Sequence, residues 1–317
     1  MSSNNKRLFT FGCSFTDYDW PTWANILSVD AQFTEFQNWG WEGGGNHLVL
    51  YSLNECIARN NINKNDTVGI MWTSISRDDR YIRHKWEGRG TVYKDNELRD
   101  YVENFTDPDD YYLKTVNIIS IVKKLLDNIG CNYYFFYMTG IDVVDEFFLS
   151  KITQILSFEG KVKKVFPEVF ESKTTSFFDL MDKPWFDSDL IIPKCIHEKM
   201  KNLKRIFDEN AGCDWPSYEQ FLIDDYSSTS KEIYNEIENQ FNLRTYKDQL
   251  VFNRCDLHPT PLEHYHFLEE MGVKLSAKQK EFAIKWEKIA REDVKSKAWP
   301  VDRRNEFDKT RRKIKRF

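Results

Sequence analysis

The 317 residues are 41% apolar and 30% charged, with a formal net charge of −5. That balance is that of an ordinary folded protein, and it excludes wholesale disorder and any general attraction to nucleic acid or anionic lipid. No run approaches the ~20 apolar residues of a membrane span, and the N-terminal MSSNNKRLFTFG has no long apolar stretch before its first strand, so a cytoplasmic protein is expected. Aromatic residues are in excess at 15%, with ten Trp, and serve either a core or platforms for a sugar or another flat ligand.

In chain order, apolar and β-rich runs bounded by turn residues predict strands at Arg7–Phe11, Phe33–Trp39, Thr67–Thr73 and Asn132–Thr139. Helical patterns fall between them: Trp20–Leu27, entered through Pro21; His47–Ala58, after a glycine cluster; and Tyr111–Leu126, with apolar residues at three- and four-residue steps. Strands alternating with crossover helices predict an α/β fold with a doubly wound parallel sheet. The rhythm stops at about Lys151. From there to Thr245 the chain is rich in Lys, Phe, Asp and Ser and broken by Pro167, Pro184, Pro193 and Pro216, which predicts a largely helical insertion or lid. The fold is expected to resume with a strand at Gln249–Phe252 and helices at Pro261–Met271 and Ala277–Ala290. The expected organisation is therefore an α/β domain over 1–150 and 246–298, an insertion over 151–245 and a basic tail over 299–317. The end of that tail, KTRRKIKRF, is either a frayed solvated terminus or a contact arm for an acidic partner.

Three segments carry candidate chemistry. LFTFGCSFT puts Ser14 after a glycine turn at the carboxyl end of the first strand, where open α/β sheets present reactive groups. NWGWEGGGNHL opens a helix with three consecutive glycines, whose N–H groups suit an oxyanion, a phosphate or simply a turn. Asn46 follows, with a side-chain amide to offer to the same spot. CDLHPTP places His258 on a loop just ahead of a helix, with Asp256 near enough to hold the far ring nitrogen of a base. The six cysteines, Cys13, Cys56, Cys131, Cys195, Cys213 and Cys255, form no C-x-x-C pair and are expected to be free thiols. His264 and His266, two apart on a predicted helix, point to different faces and do not make a metal pair. Neither a metal nor an organic cofactor is expected.

Taken together, these segments resemble the SGNH (GDSL-like) hydrolases, in particular a bacterial or phage-type branch that begins G-C-S-F-T. FGCSFT matches the serine block, EGGGN the glycine block, and DLHP the aspartate–histidine block, while IMWTSISRDDR corresponds to a third block reading W-T followed by an arginine. The resemblance implies a flavodoxin-like sheet, with Ser14 as nucleophile, His258 as base, Asp256 as its orienting acid, and the N–H groups of Ser14 and Gly43 as oxyanion donors. It adds Trp72, Thr73 and Arg77 to the substrate cleft. The chain departs from the family pattern in three places: Cys13 stands where an aspartate is usual, the block-three Gly-x-Asn-Asp is absent, and the acid is two rather than three residues before the histidine.

The function expected is a serine esterase that removes a small acyl group, such as acetyl, from a carbohydrate or similar ester. Two alternatives stay open: a weak or inactive SGNH-like binding or structural module, for example in a virus particle or a surface-glycan system, and an acyltransferase using the same residues. The partner expected is a small-molecule or glycan ester, with no membrane and no nucleic acid.

Overall fold

The computed structural model describes residues 6–82, 84–91, 108–140, 162–170, 175–180, 183, 258–297 and 302–308. Four parallel strands, β1 (Lys6–Phe11), β2 (Phe33–Asn38), β3 (Thr67–Trp72) and β6 (Asn132–Tyr137), form a sheet in the order β2-β1-β3-β6. Each lies within two residues of its predicted bounds. β3 is buried at every position, as its unbroken TVGIMW run requires of a central strand covered on both faces. At the β6 edge the sheet continues as a single parallel bridge between Tyr137 and Ser176.

Helices cover both faces. Phe9, Phe11, Val68, Ile70 and Trp72 point to one side, where they join Val49 and Leu53 of α2 (Asn46–Asn60) and Val116, Ile119 and Val122 of α3 (Pro108–Ile129) in one buried cluster. Alternate positions face α1 (Trp23–Ser28) and α5 (Pro261–Glu270): Phe136 meets Trp23 edge-on at 5.0 Å and Phe267 at 5.4 Å. Trp23 lies so close over Gly69 that a Cβ there would come within 2.8 Å of its ring, so glycine is the residue that lets the helix settle on the strand. The doubly wound α/β arrangement read from the sequence is thus present.

Local signals set the helix ends. The T-P-L-E run starts α5 with a capping box: Glu263 N–H donates to Thr260 Oγ1 at 3.3 Å, and Thr260 N–H donates to Glu263 Oε2 at 2.7 Å. α2 ends on Asn61 in the left-handed conformation. α6 (Ala277–Lys297) is fastened to α1 through Gln279 Nε2, which donates to Ile26 O at 3.0 Å. An antiparallel hairpin follows β3 that the sequence reading did not assign, β4 (Arg77–Ile82) with β5 (Lys85–Thr91). A short α4 (Pro167–Phe170) packs beside α3, and α7 (Arg304–Phe307) closes the described chain.

The chain divides into two compact units. The first holds Met1–Lys183, Pro259–Glu287 and Asp302–Phe317, and the second Pro184–His258 and Lys288–Val301. The whole sheet belongs to the first. The predicted strand Gln249–Phe252 and most of the 151–245 segment lie outside the described residues, as does 309–317. Residues 302–308, counted above as tail, are ordered: Phe307 packs edge-on against Trp286 at 5.3 Å. Among the described residues, no helix is long and apolar enough to cross a membrane.

Candidate active site

The strand order reverses direction between β1 and β3, the place where open α/β sheets bind ligands beyond their carboxyl ends. Ser14 is delivered there by a tight turn that leaves β1. Gly12 has φ +151°, and a Cβ on it would stand 2.2 Å from Thr16 Oγ1 and 2.9 Å from Met71 O, so only glycine fits. Cys13 O then accepts from the N–H groups of Thr16 and Asp17 at 2.8 and 3.1 Å, which folds the turn back on itself. Cys13 is fully buried with Sγ 3.5 Å from Met138 Sδ, and Ser14 beside it is buried as well, 6% exposed. The start of α1 is bonded to the same turn, with Thr22 Oγ1 donating to Thr16 O at 2.7 Å.

The glycine block meets this turn directly. Gly12 O accepts from Trp41 N–H at 2.9 Å, and Gly44 N–H closes a turn onto Trp41 O at 2.9 Å. Gly43 between them has φ +69°. The N-terminus of α2, read from sequence as an open anion site, is already filled: Asp79 Oδ1 accepts from Gly45 N–H at 2.7 Å and Oδ2 from Leu48 N–H at 2.8 Å. The carboxylate of β4 neutralises the positive helix end, so the phosphate alternative falls away. Burial is the largest influence on Asp79 and raises its pKa, against lowering by the Leu48 and Gly45 N–H groups, His47 and Arg77.

Two further expectations are corrected. Asn46 does not present a free amide: Nδ2 donates to Thr73 O at 3.1 Å and Thr115 Oγ1 at 3.4 Å, while Oδ1 accepts from Thr73 N–H at 2.9 Å and Thr73 Oγ1 at 3.3 Å. Asn46 and Thr73 therefore lock α2 to the end of β3, and neither supplies the side-chain donor that the missing asparagine block would give. Trp72 points into the core, 1% exposed and edge-on to Phe135 at 5.4 Å, because strand alternation turns it to the α2–α3 face. Its role is packing, not lining. Arg77 does reach the edge, with Nη1 donating to Gly44 O at 3.0 Å and Nη2 lying 3.6 Å from Met138 Sδ.

Among the backbone donors that remain are those of Ser14 and Gly43. Among the described residues no hydrogen bond engages the N–H of Ser14, the N–H of Gly43 or the Ser14 hydroxyl, whereas the neighbouring N–H groups of Thr16, Asp17, Trp41, Gly44 and Gly45 are all bonded.

Two supports were not visible as motifs. Arg304 of α7 reaches both loops at once: it pairs with Asp19 at 2.5 Å and with Glu42, and lies 4.0 Å from Asp17. These carboxylates hold its guanidinium firmly in the charged form despite burial. Trp20 Nε1 donates to Pro259 O at 2.8 Å, so the residue that follows His258 hangs on the serine segment. His258 itself is half-buried and ends the Pro184–His258 stretch of the second unit, while Asp256 lies outside the described residues. His264 is buried on α5 near Phe15 and Phe177, and His266 is turned out toward Glu269, so the two rings part as their spacing requires. Cys13, Cys56 and Cys131 are free and buried; Cys195, Cys213 and Cys255 lie outside the described residues.

The chain matches no family model, no curated protein and no solved structure.

Proposed function

We propose that this protein is an SGNH-type serine hydrolase that cleaves a small acyl ester, with Ser14 as nucleophile, His258 as base and Asp256 as the acid that orients it. The observation that carries this reading is the selective accounting of donors at the switch point. The Ser14 hydroxyl and the N–H groups of Ser14 and Gly43 are left without protein partners, whereas the N–H groups of Thr16, Asp17, Trp41, Gly44 and Gly45 in the same two loops are committed. Such a pattern suits an oxygen that becomes negative during reaction. Ser14 Oγ attacks the ester carbonyl and gives its proton to His258. The tetrahedral oxygen takes the two N–H groups. The ester C–O bond breaks as the alcohol leaves with the proton from His258, and water then releases the acid from Ser14.

With Asn46 and Thr73 bonded to each other, the hole has two backbone donors and no side-chain donor. Loss of one donor costs about 10²–10³ in rate in a fully furnished site, so turnover is expected to be slow. The same feature favours the second reading, a binding module on this scaffold. The deciding experiment is labelling with a fluorophosphonate probe together with turnover of p-nitrophenyl acetate. Labelling and hydrolysis are expected in the natural chain, and Ser14→Ala should remove the label and lower turnover by at least about 10³-fold. A natural chain that neither labels nor turns over any short-chain aryl ester overturns the hydrolase reading in favour of the module. Adding a sugar acceptor and finding acyl-sugar in place of free acid would reassign the same residues to acyl transfer.

A further inference from the structure

Away from the Ser14 edge, the outer face of α2 and the β4–β5 hairpin enclose an open hollow of about 630 Å³, within the range of small-ligand sites. It is lined by the aromatic rings of Tyr51, Tyr81 and Trp86 and by the polar side chains of Asn54, Glu55 and Arg59. Trp86 stands between the two tyrosines, 4.7 Å from the Tyr51 ring at an angle of 39° and 5.5 Å from the Tyr81 ring at 66°. Hairpin docking alone would be expected to bury such a triad. Instead Tyr51 is 54% exposed and Tyr81 51%, so each keeps an aromatic surface turned to water. Large apolar surface left out in this way, beside convergent polar groups, marks a binding site more often than a packing accident.

We infer that this hollow is a binding site for a neutral carbohydrate, separate from the Ser14 edge. A pyranose ring offers an apolar C–H face with hydroxyls around its rim, which matches aromatic rings flanked by planar polar side chains. Among the described residues the Asn54 amide and the Tyr51 and Tyr81 hydroxyls have no protein hydrogen-bond partner, so donors and acceptors are ready in the hollow. Charge selects the class of ligand. Arg59 is ion-paired with Glu55 one helical turn away, which leaves the hollow without a net cation to attract a phosphate-bearing ligand.

The proposal stands whether or not Ser14 is a nucleophile, and the test separates the two. The full chain carrying Ser14→Ala, which cannot consume an ester ligand, is applied to a printed array of neutral oligosaccharides. The best of these is then titrated by tryptophan fluorescence beside the single-stranded oligonucleotide dT10. Saturable binding of at least one neutral oligosaccharide is expected, with Kd unaffected by Ser14→Ala. Asn54→Ala and Tyr51→Ala should each weaken it by at least about tenfold while Tm stays unchanged. Trp86→Ala is avoided as sole evidence because it also loosens the hairpin. Failure of every neutral oligosaccharide to bind overturns the inference, as does binding indifferent to Asn54→Ala and Tyr51→Ala. Tighter binding of dT10 than of any oligosaccharide overturns it in favour of nucleic acid.

Discussion

The two ends of the parallel sheet use polar groups in opposite ways. At the amino end, Arg7 of β1 makes a two-point bond to Asp66, 2.8 and 2.7 Å, and also donates to Asn60 O at 3.0 Å. Asp66 accepts in addition from Asn63 N–H at 2.8 Å, and its own carbonyl takes Asn132 N–H at 3.1 Å. Donors and acceptors there satisfy one another. At the carboxyl end the loops are held from afar by Asp79, Arg77 and Arg304, and the Ser14 and Gly43 groups are left over. An edge that balances itself holds strands together; an edge whose loops are braced by remote residues has donors to spend on a ligand.

The sharpest way to break this contrast is Arg7→Ala. It strands the Asp66 carboxylate, whose side chain is 1% exposed, while Arg7 itself is 20% exposed, so the cost of a fully buried broken pair is discounted to about 2–4 kcal/mol. Urea unfolding should register that loss, with ester turnover per folded molecule unchanged. Ser14→Ala should do the reverse, within about 0.5 kcal/mol in stability. If Arg7→Ala alters turnover as much as stability, the two ends are not separate in role.

Next in size is Arg304→Ala, which removes the cation shared by the serine turn and the glycine loop and leaves Asp17, Asp19 and Glu42 facing one another. Those carboxylates range from 11% to 51% exposed, so screening limits the loss to about 1–2 kcal/mol. The difference in Tm between natural and substituted chains should shrink between low salt and 1 M salt, because repulsion among partly exposed charges is screened. A salt-independent difference would assign the effect to packing of α7 instead.

The sheet was legible because its strands are apolar runs of strand length punctuated by Gly, Asn and Asp, and because period and length separate them from the intervening helices. Ser14 and the glycine block were legible for the same reason: each sits at a junction that a sheet of this kind makes important. The supports were not. Asp79 caps a helix whose N-cap, Gly45, lies 34 residues earlier in the chain, and nothing local distinguishes it from Asp78. Arg304 lies in a stretch whose basic composition suggests a tail, and its four acidic neighbours come from three separate segments. Asn46 was misread for a related reason: an amide can either donate to a ligand or close a lock, and only the position of Thr73 and Thr115 decides.

The smallest effect expected is also the most diagnostic for how the loops at the carboxyl end are braced. Asp79→Asn keeps one acceptor for the α2 amides and turns the other into a donor, which costs about 1 kcal/mol, while it also removes the burden of a buried charge. The two nearly offset, so the sign is best read from pH. Burial raises the Asp79 pKa in the folded chain above its unfolded value of roughly 3.9, so the folded state holds this proton more tightly. The stability that follows is fully present below the unfolded pKa and is lost as pH rises through the folded one. The natural chain should therefore gain on Asp79→Asn as pH falls from 7 toward 4, read as the difference between their Tm values at each pH, since the other carboxylates titrate alike in both. A difference that moves the opposite way would mean that the Gly45 and Leu48 amides outweigh burial, and the cap would then be a stabilising carboxylate instead of one kept at a cost to hold the loop in place.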